Sequence, residues 1–513
     1  HWIASDTVDF LVTGDTSRRR ASAGTETFLG LDPTPGFIRT VVNPFFLAPQ
    51  GLPVIDDKFV TNDNFTSFAN EVSKDEYDIW GLSVSGTWQA SDNLTVKSIT
   101  SYRDLETDTG FDIDATPYPV IEQEIFVDHW QFTQELQLTG RSFNDKLEWI
   151  VGGFYFKEKG DELDRINVLS FVVPVGLGRV EEGFNEYLNV TPPTLQVNDI
   201  ETESYAFYGQ GTYALNEKIN LTAGLRYTYE SKDLTSSQSG FVFRARGTVG
   251  ETWDNLSPKF GIEYHASDTL MTYASISRGF KSGGFNGRHL STTEPSSFEP
   301  EKIWAYEAGL KSEWLDRRLR ANMSVFYYDY DNLQGSTIEA AGVVTGNIAT
   351  AEVYGFEMDA LMLISENFEI NASIGYLENN ITNVEQGAVL AGTIRDDTEL
   401  PGAPNWSASI GAQYTIPLQD LGEFTLRGDI IYKDAYEFRL PNHFNEGEDG
   451  YTQVNVLATY KPQNGPWQIQ AYGRNLTDSI YRLSAQNGVG FAEYITAQFS
   501  KPREWGLSLK VSF

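Results

Sequence analysis

The feature that most constrains the fold is an alternation of apolar and polar residues, which recurs along the chain. It is clearest at 303–330, where the first arm separates the two kinds of side chain. One face carries Trp304, Tyr306, Ala308, Leu310 and Trp314. The other carries Ala305, Glu307, Gly309, Lys311 and Glu313. Because strand side chains alternate between the two faces of a sheet, this stretch predicts a β-hairpin with a polar turn at 315–318.

A single hairpin of this kind is equally typical of a half-buried sheet in a soluble protein, but here the pattern repeats. Eighteen complete strands are predicted, preceded by a stub at 1–4. They are 8–18, 79–88, 94–105, 129–139, 147–156, 204–215, 219–229, 256–264, 270–281, 303–314, 319–330, 351–363, 368–377, 406–416, 423–433, 451–460, 467–476 and 503–513. Nine short turns alternate with nine long links.

This asymmetry between the two ends of the strands is typical of transmembrane β-barrels, which have short turns on one rim and long loops on the other. A β-propeller would instead show a period of four strands. We therefore predict an all-β protein, a transmembrane antiparallel up-and-down β-barrel, with residues 1–513 forming one barrel domain. Edge groups find no water to bond within hydrocarbon, so we expect the sheet to close on itself.

The cost of burying charge in lipid predicts which face points outward. A Lys at the bilayer midplane costs roughly 2–4 kcal/mol, so we expect Lys311 to face the lumen and the Trp304 face to contact lipid. For 270–281 the alternation leaves two possibilities open, with either Ala274 and Ile276 or Met271 and Tyr273 facing lipid.

Two further signals favour a barrel in a membrane. Large aromatic residues crowd the short turns, as expected of amphipathic rings at a membrane interface. They are Trp88, Trp149, Trp314, Tyr414, Tyr460 and Trp467. The last strand alternates without a break and ends at Phe513. It resembles the terminal strand of outer-membrane proteins, in which a final Phe serves as the assembly signal.

Composition excludes several other classes. The chain of 513 residues contains no cysteine, which rules out disulfide scaffolds, thiolate metal sites and cysteine nucleophiles. No run of eighteen apolar residues is present, so transmembrane helices are not expected. The formal charge of -33 argues against a nucleic-acid partner, which requires a basic surface.

Several segments resemble one family. They are YASISRGFKSGGFN at 273–286, FEPE at 298–301, the segment beginning YEAGLKSEWLDRRLRANMSVFYYDY at 306, and GRNLTD at 473–478. Together they resemble the barrel of TonB-dependent outer-membrane transporters, in particular the receptors for iron complexes. The resemblance implies a barrel of about 22 strands and an N-terminal plug domain that carries a TonB-binding box. Relative to that pattern, the plug, the TonB box, the first three strands and most of the fourth would precede His1.

The resemblance implies an active-transport receptor in the outer membrane of a Gram-negative bacterium. It would take up a scarce ligand, such as a ferric siderophore or a similar iron complex. The implied partners are the lipid bilayer and lipopolysaccharide, a small metal chelate, and the TonB complex through the N-terminal segment. Two alternatives stay open. Eighteen strands could close as a passive, cation-favouring porin, or the chain could be a soluble β-rich carbohydrate-binding protein or enzyme.

No stretch predicts a catalytic, metal or cofactor site, and individual ligand-binding residues stay unassigned. The run 278–284 is glycine-rich but lacks the GxxxxGK[ST] pattern, so we interpret it as a strand leaving the membrane. The run 329–335 lacks the ligands of a calcium loop and is interpreted as the top of a strand. The histidines, which show no metal-ligand spacing, are His1, His129, His265, His289 and His443.

Carboxylate pairs such as Glu122 and Glu124 are interpreted as solvated loop residues rather than an acid/base pair. The long links are the expected functional surface, since binding residues concentrate on loops held by a rigid scaffold. Two of them, 37–53 and 171–193, contain several apolar residues. These segments could line a ligand vestibule, but we favour loop-on-loop packing.

Overall fold

The computed structural model describes residues 1–22, 24, 26–61, 63–71, 73–169, 193–240, 244–288, 295–339, 342–384, 394, 398–440, 442, 446–488 and 493–512. The strands are β1 (Trp2–Ser5), β2 (Val8–Ser22), β3 (Thr27–Leu31), β4 (Lys74–Ser91), β5 (Leu94–Asp112), β6 (Ile121–Ser142), β7 (Leu147–Val168), β8 (Thr194–Asn216), β9 (Ile219–Ser239), β10 (Arg244–Ser267), β11 (Leu270–Lys281), β12 (Gly284–Phe285), β13 (Ser297–Phe298), β14 (Glu301–Trp314), β15 (Leu319–Glu339), β16 (Gly342–Ser365), β17 (Phe368–Val384), β18 (Trp406–Pro417), β19 (Glu423–Lys433), β20 (Tyr436–Glu437), β21 (Gly447–Glu448), β22 (Tyr451–Lys461), β23 (Trp467–Arg474), β24 (Arg482–Asn487), β25 (Tyr494–Phe499) and β26 (Glu504–Val511).

Helical structure within the described residues is confined to loops. It comprises the ten-residue π-helix Ile38–Leu47 and the short 3₁₀ turns Ala48–Gln50, Asp57–Phe59 and Gln419–Leu421. None of the helices in the described part of the chain is long and apolar enough to span a membrane.

Nineteen of the strands form one antiparallel sheet in which sequential strands are neighbours. The sheet runs from β1 through β2, β4–β11, β14–β19, β22 and β23 to β26. This is the predicted meander of eighteen complete strands preceded by a stub, since β1 has only four residues. The nine connections on one rim span two to five residues each and coincide with the predicted short turns. At the turn 315–317, three consecutive residues adopt positive φ, which closes the hairpin sharply.

Most strands are longer than predicted on the side of the long links. β9 and β10 pair as far as Ser239 and Arg244, and β5 and β6 pair as far as Asp112 and Glu122. The predicted long links at 106–128, 230–255 and 331–350 are therefore mostly strand, and that part of the prediction was wrong. The reason is physical: beyond the bilayer both faces of the strand meet water. The apolar alternation then disappears, while the backbone hydrogen-bond ladder continues.

The two ends of the sheet approach each other on the loop side. β3 follows β2, which pairs with the edge strand β1, and β25 precedes the other edge strand, β26. β3 and β25 nevertheless pair with each other, and β24 pairs with β25 to complete a three-stranded sheet. A nineteen-stranded sheet can bring its ends together in this way only if it curls into a cylinder. Within the described residues β1 and β26 do not pair with each other, so this loop pairing, rather than the predicted strand pairing, joins the two edges.

Strand register confirms the predicted faces. Directly opposed residues project to the same side of an antiparallel pair. Two rows across β14, β15 and β16 are wholly apolar: Leu310, Met323 and Met358, and Ala308, Val325 and Phe356. A third row, Lys311, Asn322 and Asp359, is polar and projects to the opposite side. We call the apolar side the outer face and the polar side the inner face.

Register also settles the face of β11, which the sequence left open. Ala274 lies opposite Ala308, and Ile276 lies opposite Tyr306, so both belong to the outer face. Tyr273 belongs to the inner face, where its hydroxyl donates a hydrogen bond to Glu307.

Aromatic rows mark both edges of the apolar band. All six aromatics predicted beside the short turns lie on the outer face by register; Trp314 is 53% exposed. On the loop side Tyr155, Tyr205 and Tyr229 align across three strands. Immediately above them lies Lys157, opposite Glu203. A row of tyrosines followed by charge is the pattern expected where hydrocarbon gives way to headgroups.

The final strand carries its apolar residues on the outer face as predicted. Trp505, Leu507 and Leu509 are 68%, 75% and 64% exposed. Leu507 lies opposite Ala471 and Leu509 opposite Ile469, on β23. Phe513, interpreted above as the assembly signal, lies outside the described residues.

Candidate ligand-binding site

The loop after β2 folds over the inner face of neighbouring strands. Ile38, Val42 and Leu47 lie on one side of the π-helix and are fully buried. They belong to the first loop cluster, whose buried members are Phe28, Ile38, Val42, Leu47, Ile55, Ala115, Tyr118, Val120, Ile121, Leu169 and Tyr494. The predicted loop-on-loop packing of 37–53 is confirmed, although the segment is a helix rather than an irregular loop. The second apolar segment, 171–193, falls almost entirely outside the described residues.

A second loop cluster forms over β15–β17. Its buried members are Leu333, Ile348, Ala349, Ala351, Ile381, Ile394 and Leu440. Ala351 and Ile381 face each other across β16 and β17, and Tyr330 opposite Ala351 packs against the same cluster. These are inner-face positions, since they alternate with the outer-face rows defined above. Both loop clusters therefore reach inward over the mouth of the cylinder.

A cavity of about 670 Å³ lies among the loops next to these two clusters. Its lining residues are Glu399, Ala435, Tyr436, Glu437, Asn442, Gly447, Glu448, Asp449, Ile480, Arg482 and Phe499. Leu440 of the second loop cluster belongs to the same loop as Tyr436, and Phe499 ends β25, the strand that carries Tyr494 of the first. A volume of this size is typical of a site for a small molecule. We call it the loop cavity.

Hydrogen bonds within and between loops hold the walls of the loop cavity. The Asn442 side chain accepts from the Glu399 N–H at 2.6 Å and donates to the Glu399 carbonyl at 3.0 Å. The short strands β20 and β21 pair Tyr436 with Glu448. The Glu448 carboxylate also accepts from the Arg482 N–H at 2.7 Å. These bonds shape the cavity before any ligand arrives.

The electrostatic character of the loop cavity is acidic. Glu399, Glu437, Glu448 and Asp449 line it together with one cationic side chain, Arg482. Burial, reinforced by the nearby Glu399 carboxylate, raises the pKa of Glu437. Burial also raises the pKa of Glu448. Both shifts follow mainly from burial, which disfavours the charged carboxylate, and the Arg482 charge opposes the shift at Glu448.

Aromatic rings gather beside the loop cavity. Tyr451 and Tyr481 stack with their ring centroids 3.9 Å apart. The Lys433 ammonium lies 4.1 Å from the centroid of the Tyr436 ring, within the range of a cation–π interaction. The sequence offered no signal for this site, because its residues come from four separate loop segments with no shared motif.

The motifs considered in the sequence take structural positions. The run 278–284 is the end of β11 and the start of β12, as interpreted. Gly283 is required there because a Cβ would lie 2.5 Å from the Phe298 carbonyl oxygen. The run 329–335 lies within β15, which also confirms its interpretation. Glu122 and Glu124 lie on β6 rather than in a loop, bonded to Asn70 and Arg165, so that interpretation was wrong.

The three histidines within the described residues each lie near a different carboxylate. His1 contacts Asp9 at 3.1 Å, His129 contacts Glu158 at 3.1 Å, and His265 lies 3.9 Å from Glu263. His289 and His443 fall outside the described residues. Across the described ranges, no three His, Cys, Asp or Glu side chains gather in an arrangement that could hold a metal ion.

With this geometry in place, comparison with known proteins identifies the family. The family model for the TonB dependent receptor-like β-barrel matches residues 11–476. The chain belongs to this family. TonB-dependent receptors are proteins of the Gram-negative outer membrane, which is the setting that the apolar outer face of this chain requires. Membership, together with that face, argues against the soluble carbohydrate-binding alternative.

Two TonB-dependent receptors with similar sequences carry functional names. The probable TonB-dependent siderophore receptor PiuA of Acinetobacter baumannii is 22% identical over 385 residues, covering 69% of this chain and 49% of that protein. The metal-pseudopaline receptor CntO of Pseudomonas aeruginosa is 24% identical over 326 residues, covering 62% of this chain and 42% of that protein. The chain thus spans about half the length of these curated relatives.

Solved structures of TonB-dependent receptors share the fold. The ferric yersiniabactin uptake receptor FyuA of Yersinia pestis superposes with a TM-score of 0.75 at 15% identity, covering 99% of this chain and 68% of that one. The ferripyoverdine receptor of Pseudomonas aeruginosa superposes with a TM-score of 0.68 at 16% identity, covering 100% of this chain and 64% of that one.

Proposed function

We propose that this protein is an outer-membrane receptor that takes up a small metal chelate by active transport. A ferric siderophore or a similar iron complex is the proposed ligand. The observation that carries the proposal is a family match over 11–476 combined with a preformed cavity of about 670 Å³ among the loops. We propose binding and transport rather than catalysis, since the relatives are receptors.

Energy coupling to the TonB complex is part of this proposal. The chain matches only 49% of PiuA and 42% of CntO, and the family resemblance places a plug domain before the barrel. We propose that coupling resides in such a plug, outside the 513 residues described by this sequence. We also propose that the outer face above the tyrosine row contacts lipopolysaccharide.

The passive porin is less favoured, because two loop clusters fold over the mouth of the cylinder.

Two measurements test this function. Mass spectrometry of ligand carried through purification of the full-length receptor should detect a metal chelate. Cells that express the gene should accumulate radiolabelled iron from that chelate, and cells lacking TonB should not. Accumulation that is independent of TonB, together with steady conductance of the purified protein in a planar bilayer, would instead establish the porin.

A further inference from the structure

We propose that the loop cavity selects a cationic ligand: a metal chelate whose periphery carries protonated amines or guanidinium groups. This inference rests on the function proposed above and specifies the class of ligand that the loop cavity takes. It is carried by the charges, pairing and shape of the cavity wall.

The first observation is the imbalance of charge. Four carboxylates line the loop cavity and one guanidinium accompanies them. A cleft lined by one sign of charge raises the local concentration of ligands of the opposite sign and repels those of the same sign. An anionic ferric complex would meet repulsion at this wall.

The second observation is that these carboxylates form no close ion pair within the described residues, although the Arg482 charge is near enough to Glu448 to oppose the rise in its pKa. None of the four forms an ion pair within 4.0 Å in the described part of the chain. Carboxylates elsewhere in the loops are neutralised, as in the ion pairs Glu493–Arg39 at 2.6 Å and Glu162–Arg288 at 2.7 Å. One Glu437 oxygen, Oε2, is shielded from water and accepts no hydrogen bond from the described residues. Uncompensated carboxylates cost free energy that a cationic ligand would recover.

The single cationic side chain of the wall is already engaged. The Arg482 guanidinium donates to the Gly447 carbonyl at 2.6 Å, and its backbone N–H donates to Glu448. Arg482 therefore links the loop that carries β21 to the loop that carries β24, and part of its hydrogen-bonding capacity is not available to an anion.

The third observation is the aromatic wall. Tyr436 and Phe499 both line the loop cavity. The Lys433 ammonium already occupies one face of the Tyr436 ring, so only surfaces that Lys433 does not cover are open to a ligand. Aromatic faces and carboxylates together form the usual surroundings of an organic cation.

A charge series on one chelate tests the proposal. The purified full-length protein is titrated with three ferric complexes of the same linear trihydroxamate, differing only at its terminal amine. The amine is left as a free ammonium, acetylated, or succinylated, so that the group is positive, neutral or negative. We expect affinity to fall in that order, by about threefold at each step at low salt, as for one partly exposed ion pair.

Isosteric variants identify the wall as the source of the preference. Glu437→Gln and Glu448→Gln should each reduce the differences in affinity among the three complexes. Glu366→Gln, in the short turn between β16 and β17 at the opposite rim, should leave those differences unchanged. The circular dichroism spectrum of each variant is compared with that of the parent, so that loss of fold is separated from loss of charge.

Three results would overturn the proposal. They are equal or tighter binding of the succinylated complex, an unchanged series in both cavity variants, and failure of all three complexes to bind. Competition by magnesium chloride, beyond that of sodium chloride at equal ionic strength, would identify a bare divalent cation as the occupant and would also overturn it. The proposed function stands or falls separately, because iron accumulation and co-purified ligand are measured without these probes.

Discussion

Asp112, at the end of β5, and Asp114, in the loop between β5 and β6, anchor the first loop cluster from inside. Asp114 accepts hydrogen bonds from the backbone N–H groups of Thr116 at 3.1 Å and Ile121 at 2.8 Å. Asp112 accepts from Ala115 at 3.0 Å and Asn70 at 2.8 Å. Burial raises the pKa of Asp112 to about 6 and raises that of Asp114 well above its usual range.

The raised pKa values predict that the first loop cluster is more stable in mild acid. The pKa of Asp112 is about 6 in the folded protein and about 3.9 in the unfolded chain. Protonation of Asp112 therefore stabilises the folded state. This contribution is fully present below a pH of about 3.9 and is lost as the pH rises through about 6. Amides of the π-helix and of 115–121 should therefore exchange more slowly at about pH 5 than at about pH 7.5, after correction for intrinsic rates.

The variant Asp112→Asn should weaken this pH dependence. Asp63→Asn is the matched control: Asp63 lies in a neighbouring exposed loop, where hydrogen bonds from the Phe65 N–H and the Thr66 hydroxyl lower its pKa. The control should leave the trend of the cluster unchanged. Equal protection at both pH values in the parent protein would contradict the prediction.

At the scale of single strands, adjacent residues face opposite environments: one side chain faces lipid and the next faces the lumen. Val325 belongs to the outer face, between Ala308 and Phe356, and is 46% exposed. Its neighbour Ser324 belongs to the inner face, between Gly309 and Glu357. The two positions lie at the same depth, so they compare the two environments directly.

We therefore expect Val325→Lys to destabilise the barrel in lipid by roughly 2–4 kcal/mol, because it places an ammonium against hydrocarbon. Ser324→Lys should cost less than about 1 kcal/mol, since its ammonium reaches the lumen beside Glu357. Reversible unfolding in guanidinium chloride with lipid vesicles present measures both. Equal costs for the two variants would mean that the assignment of faces is wrong.

A small sheet in the loops ties the two edges of the large sheet together. β3 and β25 place Thr27 opposite Ala497, and both residues are buried. Beside them the buried Glu493 forms an ion pair with Arg39 and accepts a hydrogen bond from the Gly36 N–H. Breaking such a buried pair is costly, so the junction between the edges is firm.

This junction predicts an efficient engineered disulfide. The parent chain contains no cysteine, so Thr27→Cys with Ala497→Cys introduces a single defined pair. Opposed residues in an antiparallel pair have Cα atoms about 4.5–5.5 Å apart, which suits a disulfide. We expect the bond to form under mild oxidation and to alter mobility on a non-reducing gel. Thr27→Cys with Ser373→Cys, which is on β17, serves as the control and should stay reduced.

At the scale of the whole molecule, the antiparallel meander separates the two rims. All nine short turns lie on one rim, and every loop that contributes to the two loop clusters or the loop cavity lies on the other. In the outer membrane the long loops face the exterior and the short turns face the periplasm.

Cysteine labelling of intact cells checks this orientation. Gln50→Cys, in the exposed loop after the π-helix, should react with a membrane-impermeant maleimide. Glu217→Cys, in the short turn between β8 and β9, should react only after the cells are lysed. Labelling of Glu217→Cys in intact cells would reverse the orientation.

Much of this architecture follows from the sequence alone. The number of strands, the nine short turns, the lipid-facing residues of 303–314 and the aromatics beside the turns were all predicted, because a bilayer imposes period-two alternation on every strand that crosses it. The extensions of β9 and β10 were missed, since water on both faces removes that constraint.

Only the tertiary structure decided how the edges and the mouth are built. The pairing of β3 with β25, the two loop clusters and the loop cavity join residues far apart in the chain, such as Thr27 with Ala497 and Glu399 with Phe499. Loop residues show no regular alternation in sequence that would predict such contacts. The contacts depend instead on how distant parts of the chain pack in three dimensions. The sequence alone therefore determined a membrane barrel and its faces, whereas chain folding decided where a ligand would bind.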